Sequence, residues 1–309
     1  MAHGGGNKAI IAALSANLGI AVTKFIAYLL THSSSMLAES VHSLADSGNQ
    51  LLLLVGGKRA KRAADEEHPF GYGRARYLYA FVVSIVLFSL GGLFALYEAW
   101  HKFADPHGID SWHWVPVAVL LAGIVMEGFS FRTAIKEANH TRGSQSWWQY
   151  IRTAKAPELP VVLLEDFGAL LGLVFALFGV GMTLGTGDGR WDAIGSAAIG
   201  LLLVVIAVVL AIETKSLLLG ESATRKDVDA IKAALVGQGV PSVIHLRTLH
   251  LGPEELLVAA KIEVSAQESA VEVAQAIDAA EQRVRAAVPI ARVIYLEPDL
   301  RRAVEAAQP

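Results

Sequence analysis

The sequence contains no cysteine. Disulfide bonds, thiolate metal ligands and cysteine nucleophiles are excluded, and cysteine usage says nothing about the redox state of the compartment. Charge is also scarce. Asp, Glu, Lys and Arg make up 18% of the 309 residues, against about 25% in a soluble globular chain. No basic excess exists, the formal net charge being −3, which argues against a nucleic-acid partner. Apolar residues are abundant: 53% of the chain is hydrophobic and the mean hydropathy is +0.45. Long apolar runs with so little charge read as an integral membrane protein and exclude a disordered chain.

The charge is unevenly placed. Residues 1–220 hold 16 basic and 16 acidic side chains, and residues 221–309 hold 10 and 13. This suggests two domains, a membrane body over 1–220 and a water-soluble C-terminal domain over 221–309. Six apolar runs of spanning length lie near 9–30, 36–58, 77–100, 113–134, 159–183 and 191–213. The first lacks the look of a cleavable signal peptide. Lys58, Arg59, Lys61, Arg62, Arg74 and Arg76 crowd the loop after the second run. Arg132, Lys136, Arg142, Arg152 and Lys155 crowd the loop after the fourth. The other connections offer almost none, so the positive-inside rule puts both termini in the cytoplasm. The composition is compatible with a bacterial inner membrane. Trp112, Trp114, Trp147, Trp148 and Trp191 fall at span ends, as interfacial tryptophans do. Gly91, Gly92, Gly168, Gly172, Gly195 and Gly200 predict close helix packing.

In the tail, Val228, Ile231, Ala234 and Leu235 have helical spacing over 224–238. Strands are expected over 243–251 and 256–264, the second with Leu256, Val258, Ala260, Ile262 and Val264 alternating. An amphipathic helix follows over 269–288, then a strand over 291–297 stopped by Pro298. The order αββαβ predicts a small ferredoxin-like α+β domain. About 85 residues bury only a modest core, so help from a dimer partner is expected.

Ionisable residues inside a bilayer cost roughly 2.5–3.5 kcal/mol each on insertion scales, so they mark candidate function. In the second run Glu39, His42, Asp46 and Asn49 share one narrow helical face. His42 and Asp46 are one turn apart and can reach one ion. Imidazole with carboxylate suits Zn²⁺ and similar divalent metals. Glu165 and Asp166 sit together in the fifth run; they could share a proton, face a wet cavity or bind a cation. Asn17 and Lys24 in the first run, Glu98 in the third and Glu127 in the fourth are further polar points. Asp192 and Glu213 lie near the ends of the sixth and read as interfacial.

These residues resemble a known family, the cation diffusion facilitators. Its second span carries His or Asp, three residues, then Asp, matched by His42-Ser-Leu-Ala-Asp46. The segment His68-Pro-Phe-Gly-Tyr-Gly-Arg-Ala-Arg76 resembles its signature loop before the third span, and Asn17 and Lys24 fit its first span. The stretch Leu163-Leu164-Glu165-Asp166 is nearest the branch of the zinc-transporter-nine type. The family's fifth span usually carries His, three residues, Asp; here Asp166 fits, but Val162 stands where the His would be.

The resemblance implies a divalent metal transporter, Zn²⁺ first, working as a proton-coupled antiporter by alternating access and acting as a homodimer. It implies no enzyme activity and no organic cofactor. The implied transport site is His42, Asp46, Asp166 and Glu165, with Asn17, Glu39, Asn49 and Glu127 as accessories. A second metal site would use Asp65, His68 and Glu297, although Tyr72 replaces a common His. Mn²⁺, Fe²⁺, Co²⁺ or Cd²⁺ are alternative cargoes, and a metal sensor that moves nothing is an alternative function. A membrane metallohydrolase is the third class, but the chain has no His-Glu-x-x-His motif and no serine elbow.

Overall fold

Each long apolar run is a long helix. In the computed structural model, residues 4–109 and 112–301 are described, with side chains from residue 18 onward. The membrane body comprises α1 (Gly4–Thr31), α2 (Ser34–Ala60), α3 (Ala75–Ala104), α4 (Trp114–Arg142), the short α5 (Trp147–Thr153), α6 (Glu158–Thr186) and α7 (Arg190–Leu219). Among the described residues, α3, α4, α6 and α7 are long and apolar enough to cross a membrane, and α1 adds the shorter apolar stretch Leu18–Thr31. Six long helices stand where six spans are expected, and among the described residues four of them have the length and hydropathy of a span. The 27 residues of α2 have the length, but Glu39, His42, Asp46, Asn49 and Gln50 dilute its apolar character. The helix α5 lies in the long loop before α6 and starts where Ser146 Oγ accepts the Gln149 N–H at 3.2 Å.

The chain divides into two units. Met1–Lys58 with Arg76–Lys215 form the first, and Arg59–Ala75 with Ser216–Pro309 the second. In the first, Met36, Leu87, Leu120, Leu173, Val180, Ile199, Leu203 and Leu210 make a buried core. Lipid removes most of the hydrophobic drive between helices, so contact depends on close van der Waals fit. Glycine provides it. A Cβ on Gly200 would stand 2.9 Å from the Leu96 backbone nitrogen and 3.0 Å from the Gly92 carbonyl oxygen, so α3 and α7 touch backbone to backbone. Between Val86 and Phe94 the middle of α3 widens into a π-helical segment, Leu87–Leu93, that contains Gly91 and Gly92.

The start of α2 is tied down from two sides. His32, at the corner after α1, adopts a left-handed φ of 50°, and its carbonyl accepts from Lys102 Nζ at 3.0 Å. Asp192 of α7 then takes the first backbone N–H groups of α2. Its carboxylate accepts from Ser34 N at 2.7 Å, Ser35 N at 3.3 Å and Ser33 Oγ at 2.9 Å. The two N–H groups are among the orphan donors every helix N-terminus carries, and a carboxylate there also meets the helix dipole. Asp192 is completely buried. Asp192 lies in the first turn of α7, near a span end as expected; what hydropathy does not show is that serine donors replace water around it.

The second unit contains α8 (Arg225–Leu235), β1 (Val243–Gly252), β2 (Glu255–Glu263), α9 (Ala270–Ala287) and β3 (Ala291–Asp299). The αββαβ order is as expected. The sheet order is β1-β2-β3, with β1 antiparallel and β3 parallel to β2. In a ferredoxin-like sheet a strand separates the two that flank the helix. Here β2 and β3 are neighbours, because the unit begins with a helix and supplies no such strand. Leu256, Val258, Ala260 and Ile262 alternate inward from β2, against Ile231 and Leu235 of α8 and Ala276, Ala280 and Val284 of α9. Contrary to expectation, Pro298 does not end β3 but pairs with Ile262. β3 is an edge strand, where a missing N–H is tolerated. Ser269 and Glu272 close a capping box on α9. The 59–75 segment reaches the β1–β2 turn: a Cβ on Gly73 would stand 2.7 Å from the Leu251 carbonyl oxygen and 3.2 Å from Gly252 Cα.

Candidate functional site

The polar face of α2 turns into the first unit, as its spacing predicts. Glu39, His42 and Asn49 are buried, and the Asp46 side chain keeps 16% exposure. His42 Nε2 lies 3.5 Å from Asp46 Oδ2, one turn along. From α6, Asp166 is oriented by Ser130 of α4, whose hydroxyl donates to Oδ2 at 2.9 Å. A cavity of about 90 Å³ joins these elements. It is lined by Ser43 and Asp46 of α2, Glu127 and Ser130 of α4, and Asp166 of α6. A single water needs roughly 10–15 Å³ of such space, so there is room for a partly hydrated ion.

Asp46 and Asp166 are therefore brought to one cavity, with Glu127 beside them and His42 behind Asp46. Glu165 is not among the lining residues. Its Oε1 accepts from Asn49 Nδ2 at 2.6 Å, which engages two candidates with each other. Adjacent residues on a helix point about 100° apart, and of these two it is Asp166 that is turned into the cavity. Glu39 is bound to Lys24 of α1, Nζ to Oε2, at 2.9 Å. Asn17 lies in α1, but its side chain falls outside the described residues. Val162, one turn before Asp166, packs against the apolar core. Among the described residues, no three His, Asp or Glu side chains are grouped closely enough to hold a metal ion together.

Three atoms near the cavity are buried with no hydrogen-bond partner among the described residues: both ring nitrogens of His42, and Asp46 Oδ1. Buried polar atoms are rarely left so, and an imidazole nitrogen and a carboxylate oxygen are donors that suit a divalent transition metal. Gly91, in the π-helical segment, lies beside His42, where a Cβ would make an ordinary contact of 3.8 Å with Nδ1. Such segments recur at functional sites. The sequence reading missed this widening, the Ser130 donor and the Lys24–Glu39 pairing. Lys24 was visible as a charge in an apolar run, but only the fold names its partner.

The second candidate site is a hydrogen-bonded turn. Asp65 accepts from Tyr72 OH at 2.7 Å, from the His68 N–H at 2.8 Å and from Arg62 at 3.0 Å. The Tyr72 hydroxyl first, then the His68 N–H, holds the Asp65 carboxyl below its ordinary range. The His68 ring stacks on Tyr72, centroids 4.3 Å apart. Glu297, on β3, pairs with Lys261 at 3.1 Å.

The family model described as "Cation efflux transmembrane domain" matches residues 10–219. The chain belongs to the cation efflux family. The match ends where α7 ends and contains every residue of the cavity. This cation efflux protein is 31% identical over 243 residues to the mitochondrial proton-coupled zinc antiporter SLC30A9 of Xenopus laevis, covering 78% of this chain and 43% of that protein. To the human protein of the same name it is 30% identical over 243 residues, with the same coverage. It is 27% identical over 268 residues to metal tolerance protein C4 of Arabidopsis thaliana, covering 84% and 57%. The cation efflux protein thus spans less than half the length of the SLC30A9 relatives.

Proposed function

We propose that this cation efflux protein moves a divalent cation, Zn²⁺ first, across a membrane in exchange for protons. One observation carries the reading: Asp46 and Asp166, from two helices, line one partly open cavity with His42 a turn away. We assign the ion to His42, Asp46 and Asp166, with Glu127 in place of Glu165 as the fourth side chain; these four are not grouped around one point among the described residues, so they close around the ion when it binds. Metal and protons compete for these lone pairs, because a ligand must be deprotonated to bind metal. If the bundle opens alternately to the two sides, competition becomes exchange. The relatives named proton-coupled zinc antiporters support the coupling and the cargo. In this reading residues 1–220 are the transport domain with six spans, and both termini face the cytoplasm of a bacterial inner membrane. Residues 221–309 pair two protomers.

The test is flux of a panel of divalent metals into liposomes holding the purified protein, with an imposed pH gradient. Zinc uptake is expected to depend on the gradient. Asp46→Ala and Asp166→Ala are expected to reduce it to the level of protein-free vesicles. Normal zinc flux in both variants would overturn the site, and metal binding without flux would overturn transport.

A further inference from the structure

Lys24 is a buried cation beside the cavity, and the transport reading leaves it without a role. It lies in α1 and is 1% exposed. Its ammonium donates to two residues of α2, Glu39 Oε2 at 2.9 Å and Ser43 Oγ at 2.8 Å. Those acceptors flank His42 in sequence, and Ser43 lines the cavity together with Asp46. Glu39 is completely buried. Its other oxygen, Oε1, has no hydrogen-bond partner among the described residues. That oxygen faces α6, where a Cβ on Gly172 would stand 2.7 Å from it. Glu39 is thus a whole carboxylate on the His42–Asp46 face, close to α6, held by an internal cation. It is absent from the cavity lining.

An ammonium and a divalent cation compete for the same carboxylate. We propose that Lys24 is a specificity-determining residue that withholds Glu39 from the transported ion. With Glu39 engaged, four side chains remain, a number that suits tetrahedral Zn²⁺. With Glu39 released, another oxygen donor and an uncompensated negative charge reach the site. That composition favours ions that take six oxygens, such as Mn²⁺. The inference rests on the transport reading above and adds what sets its selectivity.

The experiment measures Zn²⁺ and Mn²⁺ flux by the full chain in liposomes under a pH gradient. It compares the wild type with Lys24→Met, Lys24→Arg and the double variant Lys24→Met/Glu39→Gln. Lys24→Met is expected to raise the Mn²⁺:Zn²⁺ ratio of kcat/KM about tenfold, the scale on which residues behind a metal ligand act. The double variant, which removes both charges, is expected to return the ratio to within about twofold of wild type. Lys24→Arg keeps the cation and is expected to keep the ratio. If Lys24→Met does not reconstitute, Lys24→Gln, which retains a donor for Ser43 but no charge, carries the same expectation.

A tie that merely held α1 to α2 would lower both fluxes together in the single and double variants, with the ratio unchanged. That result overturns the proposal. A wild type without zinc flux overturns the transport reading instead, before any variant is compared.

Discussion

Among single residues, the adjacent acids Glu165 and Asp166 show how much a 100° turn decides. Asp166 lines the cavity, whereas Glu165 accepts from Asn49 at 2.6 Å. A Gln carbonyl still accepts that bond. Glu165→Gln is therefore expected to keep zinc flux within about threefold, while Asp166→Asn loses at least about tenfold. Equal losses would return Glu165 to the ligand set. A residue outside the membrane body gives a pH test. The Tyr72 hydroxyl is the main cause that holds Asp65 below its ordinary range. The sign follows from linkage: what this carboxylate contributes to stability is present above about pH 4 and is lost as the pH falls through the lowered value. Tyr72→Phe is expected to raise the Asp65 titration midpoint, followed by carboxyl carbon shifts in ¹³C-aspartate-labelled protein. The sequence alone identified the charged residues of the spans and the face they share on α2. It did not show that Lys24 engages Glu39 or that Asn49 engages Glu165, because such pairings join helices that are distant in the chain.

For helices and strands, legibility followed periodicity. The long apolar runs and the alternation of β2 each gave an element close to its observed bounds. What escaped was tertiary. Pro298 reads as a strand stop unless β3 is known to be an edge, and nothing local to Asp192 shows that Ser33–Ser35 meet it. The π-helical segment of α3 has no local signature beyond its two glycines. The Asp192 contacts make α2 testable as an element. Asp192→Ala leaves Ser34 N and Ser35 N without their acceptor, and is expected to cost about 2 kcal/mol, at the upper end for a lost helix cap. Thermal unfolding in detergent measures it. Asp192→Asn, which retains an acceptor, is expected to lose less, and equal loss in both would place the effect in charge rather than in capping.

For the whole molecule, the second unit is assembled from two separated stretches, Arg59–Ala75 and Ser216–Pro309. The charge shift near residue 220 revealed the later stretch, and nothing in the composition revealed the earlier one. Their junction is steric. Gly73 meets the backbone of Leu251 and Gly252 with no room for a Cβ, and a carbonyl oxygen yields less readily than a side chain. Gly73→Val is expected to raise hydrogen exchange across residues 59–75 while the β1–β2 ladder stays protected. Unchanged exchange in that segment would show that the approach is not tight.

The buried carboxylate at Asp192 also has a consequence in time. It caps Ser34 from 158 residues further along the chain. At a synthesis rate of about 5–20 residues per second, roughly 8–30 seconds separate the emergence of the serines from that of their acceptor. During that interval α2, already weak in hydropathy, has Lys24 of α1 for Glu39 but carries uncapped donors at its start. The helix made second is completed last, when α7 arrives.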